Sequence, residues 1–441
     1  MVVVQRMTVF ALVLSCCVFL AGCPPTPDGL LRTMLEANGV VPLAKPPTNV
    51  AKVALGRALF FDKILSGNEN ISCATCHHPA LATSDGLSLG AGEGGAGLGP
   101  LRVYPLDDEN NPVIIPRNAP DLFCRADFRS MFWDGRVEEI DGQFFSPAGA
   151  NLLPGLDNVL AVQACFPVTS RDEMRGHGDS NELAEIEDTD LQAIWAGLMD
   201  RLLANPTYLG LFQAAYPLKD EAAFTFAHAA NAIAEFEIKS WTLLDSPFDR
   251  FLAGDNTAMN AQQKNGMALF YGTARCATCH SGPLLSDELY YNTGVIQLGP
   301  GKGDGVDGKA DYGREQVTGD PRDRYKFRTP PLRNVTATGP WTHAGGLTNL
   351  RATVARYNNI RAAINNYDES PLPQILEDTV NRAETTNILA SLDARMPPNP
   401  MSPQEIDDIM AFLGALTSPS LPQLPQRDIP ASVPSGLPVA D

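Results

Sequence analysis

Apolar residues at three-and-four spacing close two short stretches, Ala58-Leu59-Phe60-Phe61 and Ala268-Leu269-Phe270-Tyr271, and each reads as the buried face at the end of a helix. A longer run of the same kind, from Ala222 to Leu244, predicts one long helix, which Asp245-Ser246-Pro247 ends. Leu350, Val354 and Tyr357 fall on one face of a further helix. Strand patterning is weak elsewhere, so the predicted fold is mainly α. Seven glycines between Gly86 and Gly99 predict a flexible surface loop, and the proline-rich stretch from Ser418 to Asp441 predicts an extended terminus.

One apolar run stands apart from the fold. Arg6 precedes Met7 to Leu20, too short for a comfortable permanent span but right for the core of a secretory signal. The run ends in Leu20-Ala21-Gly22-Cys23, which resembles the bacterial lipobox. Residues 1–22 are then a lipoprotein signal peptide, Cys23 is the lipidated anchor, and 23–44, opening with Pro24-Pro25-Thr26-Pro27, is a stiff tether. No Asp follows Cys23, which in lipoprotein sorting resembles outer-membrane retention. The expected location is the periplasm, with membrane contact through the lipid alone. An ordinary signal peptide with incidental cysteines, Cys16 and Cys17 among them, is the alternative.

The 441 residues allow two or three domains of ~100–200 residues each. Lys+Arg 33 against Asp+Glu 51 gives a net charge of -18, which repels phosphate backbones and excludes nucleic-acid binding. Of nine cysteines, four sit in two identical pentapeptides, Cys73-Ala74-Thr75-Cys76-His77 and Cys276-Ala277-Thr278-Cys279-His280. Two thiols three positions apart can form thioethers to both haem vinyl groups while the next imidazole takes the iron. Zinc normally takes four protein ligands, and each pentapeptide offers three. Two covalently bound c-type haems are therefore expected, and export agrees with them. Cys124 and Cys165 are left over, either as a disulfide or as two buried thiols. The repeated apolar stretch before each motif suggests two cytochrome c-like haem domains related by duplication, with long loops and little strand. We place the first at 45–204, the second at 205–417 and a tail at 418–441.

Around both motifs the chain carries, in order, Leu59-Phe60-Phe61-Asp62, Pro116-Arg117-Asn118-Ala119-Pro120, Phe132-Trp133-Asp134-Gly135-Arg136 and Thr329-Pro330-Pro331-Leu332-Arg333-Asn334-Val335. Over roughly residues 45 to 415 this pattern resembles the bacterial di-haem cytochrome c peroxidases, including the MauG-type branch. The resemblance implies roles for individual residues. Gln163 and Glu173 match a distal pair over the first haem, where a carboxylate can move a proton between the oxygens of peroxide. Trp133 matches an aromatic relay between the haems, and Asn118, Thr338 and Pro340 match the ligands of a calcium ion between the domains. His343 matches a position near the second haem, with a hydrogen-bonding role there rather than ligation.

Two departures from the commoner family pattern carry weight. Many members have a His after the first motif that closes the first iron, and residues 79–116 contain none, so that iron should stay open opposite His77. Where many members place a Met ligand for the second haem, this chain has Tyr357, as the MauG-type does; Met396 or Met401 is the alternative ligand. With His280, a Tyr357 phenolate would lower the potential of the second haem and help it store oxidising equivalents. The implied function is reduction of hydrogen peroxide to water, with electrons from a small c-type cytochrome or cupredoxin carrying a basic docking face. One alternative is a MauG-like enzyme that oxidises a residue of a partner protein through a high-valent di-haem state. Another is a non-enzymatic di-haem electron carrier with both irons closed. Family dimers imply a homodimer.

Overall fold

The computed structural model describes residues 27–107, 110–178, 180–218 and 220–440. Cys23, with Cys16 and Cys17, lies outside them. The described chain is mostly short helices joined by long irregular segments, with one three-stranded antiparallel ribbon (β1 Ser130–Met131, β2 Val137–Ile140, β3 Gln143–Phe145) and one two-stranded pair (β4 Tyr290–Tyr291, β5 Phe327–Arg328). Among these residues no helix is long and apolar enough to cross a membrane.

The two halves are built on the same helix crossing. Helix α2 (Val50–Phe61) packs on the long helix α4 (Phe226–Trp241), and α5 (Ala261–Tyr271) packs on α7 (Pro403–Ala415). In each pair a glycine lets two backbones touch. A Cβ on Gly56 would stand 1.8 Å from Ala232 O, and one on Gly266 would stand 1.8 Å from Asp408 O. One turn further on, Phe60 meets Phe236 with ring centroids 5.5 Å apart, and Phe270 meets Phe412 at 5.2 Å. Glycine, aromatic and partner thus recur at the same offsets in both crossings. Gly56→Ala and Gly266→Ala should each force a backbone shift costing at least ~1–3 kcal/mol. Thermal unfolding of each purified holo variant checks this, and a melting temperature equal to the parent's would show that the crossing yields without cost.

The expected boundary near residue 205 is not where the cores divide. Residues from Leu55 to Leu243, including most of the apolar face of α4, form one core, and a second gathers Phe248 to Leu416. The break falls at Asp245-Ser246-Pro247, because α4 is the crossing partner of α2 and cannot leave the first half. The expected tether and tail also differ from their expectations. Pro27–Ala37 is a helix, α1, seated on the second core through Leu35, with Asp28 paired to Lys264 at 2.7 Å and Asn38 O accepting from Gly282 N at 3.0 Å. At the other end, Leu424–Asp428 forms α8, and Leu424 and Val433 are buried in the first core. Trp241 Nε1 donates to Asp428 Oδ2 at 3.1 Å, and Ser435 Oγ donates to Asp62 Oδ1 at 2.6 Å. Each end of the described chain therefore packs on the half to which the other end belongs.

The glycine-rich segment is likewise not a free surface loop. Leu87, Leu89 and Ala91 are buried, Leu89 in a third core shared with Ile296, Leu298 and Ile364 of the second half. Arg102 ties the segment down by donating to the carbonyls of Ala91, Gly92 and Gly97. Glycine is needed at Gly92 for contact rather than flexibility, since its Cβ would lie 1.8 Å from Asp172 O. Across the same junction, Arg117 forks onto both oxygens of Asp311 at 2.7 Å and also binds Asp134, all three being buried. Burial alone would raise Asp134, but the charges of Arg117 and Arg136 outweigh it and hold the carboxyl below its usual range.

Candidate active site

Each pentapeptide forms a tight turn on the wall of a large cavity. The first cavity, about 1350 Å³ including its mouth, is lined by Cys73, Cys76 and His77, and the second, about 1930 Å³, by Cys276, Cys279 and His280. None of the four thiols is joined in a disulfide. His77 Nδ1 lies 3.1 Å from Thr83 O, and His280 Nδ1 lies 2.9 Å from Leu285 O. A carbonyl can only accept, so Nδ1 carries the proton in each ring and Nε2 keeps its lone pair. Burial, opposed by the Thr83 bond and reinforced by Arg125, pushes His77 down to about 4, and burial lowers His280 too, so both imidazoles are neutral near pH 7. Paired thiols, a neutral imidazole and a macrocycle-sized cavity fit a covalently held haem at each turn.

The distal pair expected for the first haem is brought to the first cavity. Gln163 comes from α3 (Val159–Ala164), capped by Asn158, whose side chain accepts from Ala161 N at 2.9 Å. Glu173 sits in a single π-helical turn, Arg171–Arg175, closed by Arg175 N to Ser170 O at 2.8 Å and Gly176 N to Arg171 O at 3.0 Å. One wide turn of this kind aims a side chain that an α-helix would direct elsewhere. The turn is held from outside by Glu93 N, bonded to Asp172 O at 2.9 Å, and by Gly67 N, bonded to Met174 O at 2.8 Å. Burial raises the Glu173 carboxyl above its ordinary range despite the opposing charges of Arg136 and Lys302. His177 stays exposed and does not line the cavity.

Trp133 lines both cavities, as do Asn118, Pro120, Asp121, Arg125 and Arg328. Its Nε1 donates to Asn118 O at 2.9 Å, and its ring centroid is 6.4 Å from that of His343. His343 stacks on Phe327 at 3.4 Å, and its buried Nε2 has no hydrogen-bond partner among the described residues. In the second cavity, helix α6 (Leu350–Ala355) and the turn Arg356–Asn358 present Leu350, Val354 and Tyr357 together, with Arg356 4.7 Å from the Tyr357 ring centroid. Met396 and Met401 line the same cavity. Thr338 and Pro340 line it as well, beside Asn118. The Asn118 Nδ2 donates to Leu87 O and Ser88 O at 2.8 and 3.2 Å, which leaves its Oδ1 as the accepting atom.

Two carboxyls of the first cavity escaped the sequence reading, and one alternative left open there is settled. Cys124 and Cys165 are separate buried thiols, Cys124 nearest Leu243 O and Cys165 nearest Ala161 O, so the open alternative resolves to free thiols. Asp85 and Glu237 add two more carboxyls to the first cavity, each with a buried oxygen that has no partner among the described residues. Burial pushes Asp85 up to about 7 and Glu237 to about 8, the nearby charges only partly opposing it. A signal for Glu237 existed. By the offsets of the two crossings it stands where the second half has Leu413, and both line their cavities, so a charge occupies a core position.

The family model described as di-haem cytochrome c peroxidase matches residues 50–257. The methylamine utilization protein MauG of Methylorubrum extorquens is 31% identical over 386 residues, spanning 86% of this chain and 83% of its own. The cytochrome-c peroxidase IdrP2 of Denitromonas iodatirespirans is 31% identical over 359 residues, spanning 77% of this chain and 80% of its own. Among solved structures, a MauG-like protein associated with microbial copper homeostasis superposes with a TM-score of 0.60 at 25% identity, covering 86% of this chain and 94% of that one.

Proposed function

The chain belongs to the di-haem cytochrome c peroxidase family, oxidoreductases carrying two haems, and from that premise we propose that it reduces hydrogen peroxide to water at the first cavity with electrons that arrive through the second. The observation that carries this reading is that Gln163 and Glu173 line the same cavity as His77. When bound, haem supplies the iron redox chemistry that breaks the O–O bond. The chain supplies the proton movement: the Glu173 carboxylate takes the proton from the near oxygen of peroxide and returns it to the far one, which leaves as water. Gln163 holds the peroxide in line by hydrogen bonding. Trp133, bordering both cavities, offers an oxidisable aromatic through which an electron passes to the first site.

The remaining parts of the reading follow from residues already placed. His280 and Tyr357 would hold the iron of the second haem, a reading supported by the position of both side chains on the wall of that cavity. Asn118, Thr338 and Pro340, which line one cavity, would hold a calcium ion through their oxygens, the hard donors this ion takes. The lipobox-like Leu20-Ala21-Gly22-Cys23 supports export with lipidation at Cys23, hence a periplasmic protein on the outer membrane, and the family resemblance supports a homodimer fed by a small cytochrome or cupredoxin. A MauG-like role toward a protein substrate is the second reading, favoured by Tyr357 and by the lack of any His in residues 79–116.

Electron paramagnetic resonance of the as-isolated ferric holoprotein tests the reading, together with metal analysis of the same sample. One high-spin and one low-spin haem, both optical spectra changing with one equivalent of peroxide and no reductant, and one calcium per two irons are expected. Two low-spin haems inert to peroxide would favour an electron carrier instead.

A further inference from the structure

The wall shared by the two cavities holds more positive charge than the chain itself balances. Arg125 and Arg328 are 5% and 4% exposed, and both line both cavities. Their guanidinium carbons lie 4.5 and 5.0 Å from the centroid of one ring, Phe128, so two like charges share a single aromatic. Buried charges normally find a counter-ion. Here one carboxylate serves two cations: Asp121 Oδ1 is 3.5 Å from Arg125 Nη2 and also accepts from Phe123 N at 3.0 Å. Arg125 otherwise donates to the main-chain oxygen of Asp121. Arg328 donates to Phe132 O at 3.2 Å and distantly to Thr329 O at 3.5 Å, and no carboxylate of the described residues lies within ion-pair distance of it. Glu288 acts on Arg328 only from farther away and is itself bonded to Arg129 N and Ser130 N. Glu237 faces Arg125 without reaching it, and burial favours its neutral form.

We propose that Arg125 and Arg328 form a carboxylate-binding site in the wall between the cavities, which takes propionate groups of both haems and ties the two cofactors to one pair of charges. This rests on each cavity holding a haem. The free edge of an Arg fork matches a carboxylate in a way that a lysine ammonium does not. A cation that neutralises a propionate also raises the potential of that haem, because the uncompensated negative charge would favour the ferric state. Since both arginines border both cavities, loss of either should be felt at both irons.

The test is a spectroelectrochemical titration of parent, Arg125→Gln and Arg328→Gln holoproteins, after mass spectrometry has established two covalent haems per chain. The expected result is a downward shift of both midpoint potentials in each variant. Unchanged potentials, or a shift at one haem only, would overturn the proposal, whereas a mass lacking one haem in the parent would instead overturn the two-haem reading. Should the Gln variants fail to fold, Arg328→Lys keeps the charge and removes the fork. The propionate bending bands in its resonance Raman spectrum are expected to move while its potentials stay near the parent's, and bands identical to the parent's would overturn the assignment.

Discussion

Glu173→Gln is expected to slow the reaction of the ferric holoprotein with peroxide by roughly 10²–10⁴-fold, the usual contribution of a positioned acid–base group, while leaving both haems attached. Gln keeps the size and hydrogen bonding of the side chain but cannot take a proton, so the loss reports proton transfer rather than packing. The pH dependence carries a second signature. Glu173 must be ionised to accept the peroxide proton, and burial lifts its carboxyl above its ordinary range. The rate should therefore fall as the pH is lowered through a value above ~4.3, the usual glutamate figure. In Glu173→Gln this acid limb should vanish. Stopped-flow rates across pH for parent and variant decide it, and a variant as fast as the parent would remove Glu173 from the chemistry.

The second large effect is expected at Tyr357. Tyr357→Phe removes the phenol oxygen and keeps the ring, so the second haem should lose an axial ligand, turn high-spin, and rise in potential by an appreciable part of the ~0.8 V that axial ligands span. Met396 and Met401 line the same cavity. If either is the ligand, Tyr357→Phe leaves the low-spin signal and the midpoint where they were. Electron paramagnetic resonance and a redox titration on one preparation separate the two outcomes.

Residues whose chemistry is local were legible without a structure. The pentapeptides declare their thiols and imidazoles by spacing, and Leu350, Val354 and Tyr357 meet at one cavity because helical periodicity puts them on one face. The long helix was also legible, but not its allegiance. Its apolar face fits either half equally well, and contacts such as that of Gly56 with Ala232 O assign it to the first. The glycine-rich segment misled for a related reason. Glycine serves both flexibility and close backbone contact, and the second use, at Gly92 against Asp172, depends on a partner far away in the chain. Arg125 and Arg328 were invisible because a buried cation and a solvated one look alike in sequence. Glu237 stands out only once the two crossings are laid over each other and its counterpart is seen to be Leu413.

The exchange of chain ends sets an order of events during synthesis. Leu424 and Val433 complete the first core, whereas Leu35 and Val40 belong to the second. A chain made from its N-terminus presents Cys73 and Cys76 early, yet the core around them stays open until Leu424 and Val433 arrive. The second core gains its final helix sooner, since α7 precedes the tail. The half that is begun first is thus finished last, which leaves its thiols exposed to attachment chemistry while the rest of the chain is still arriving.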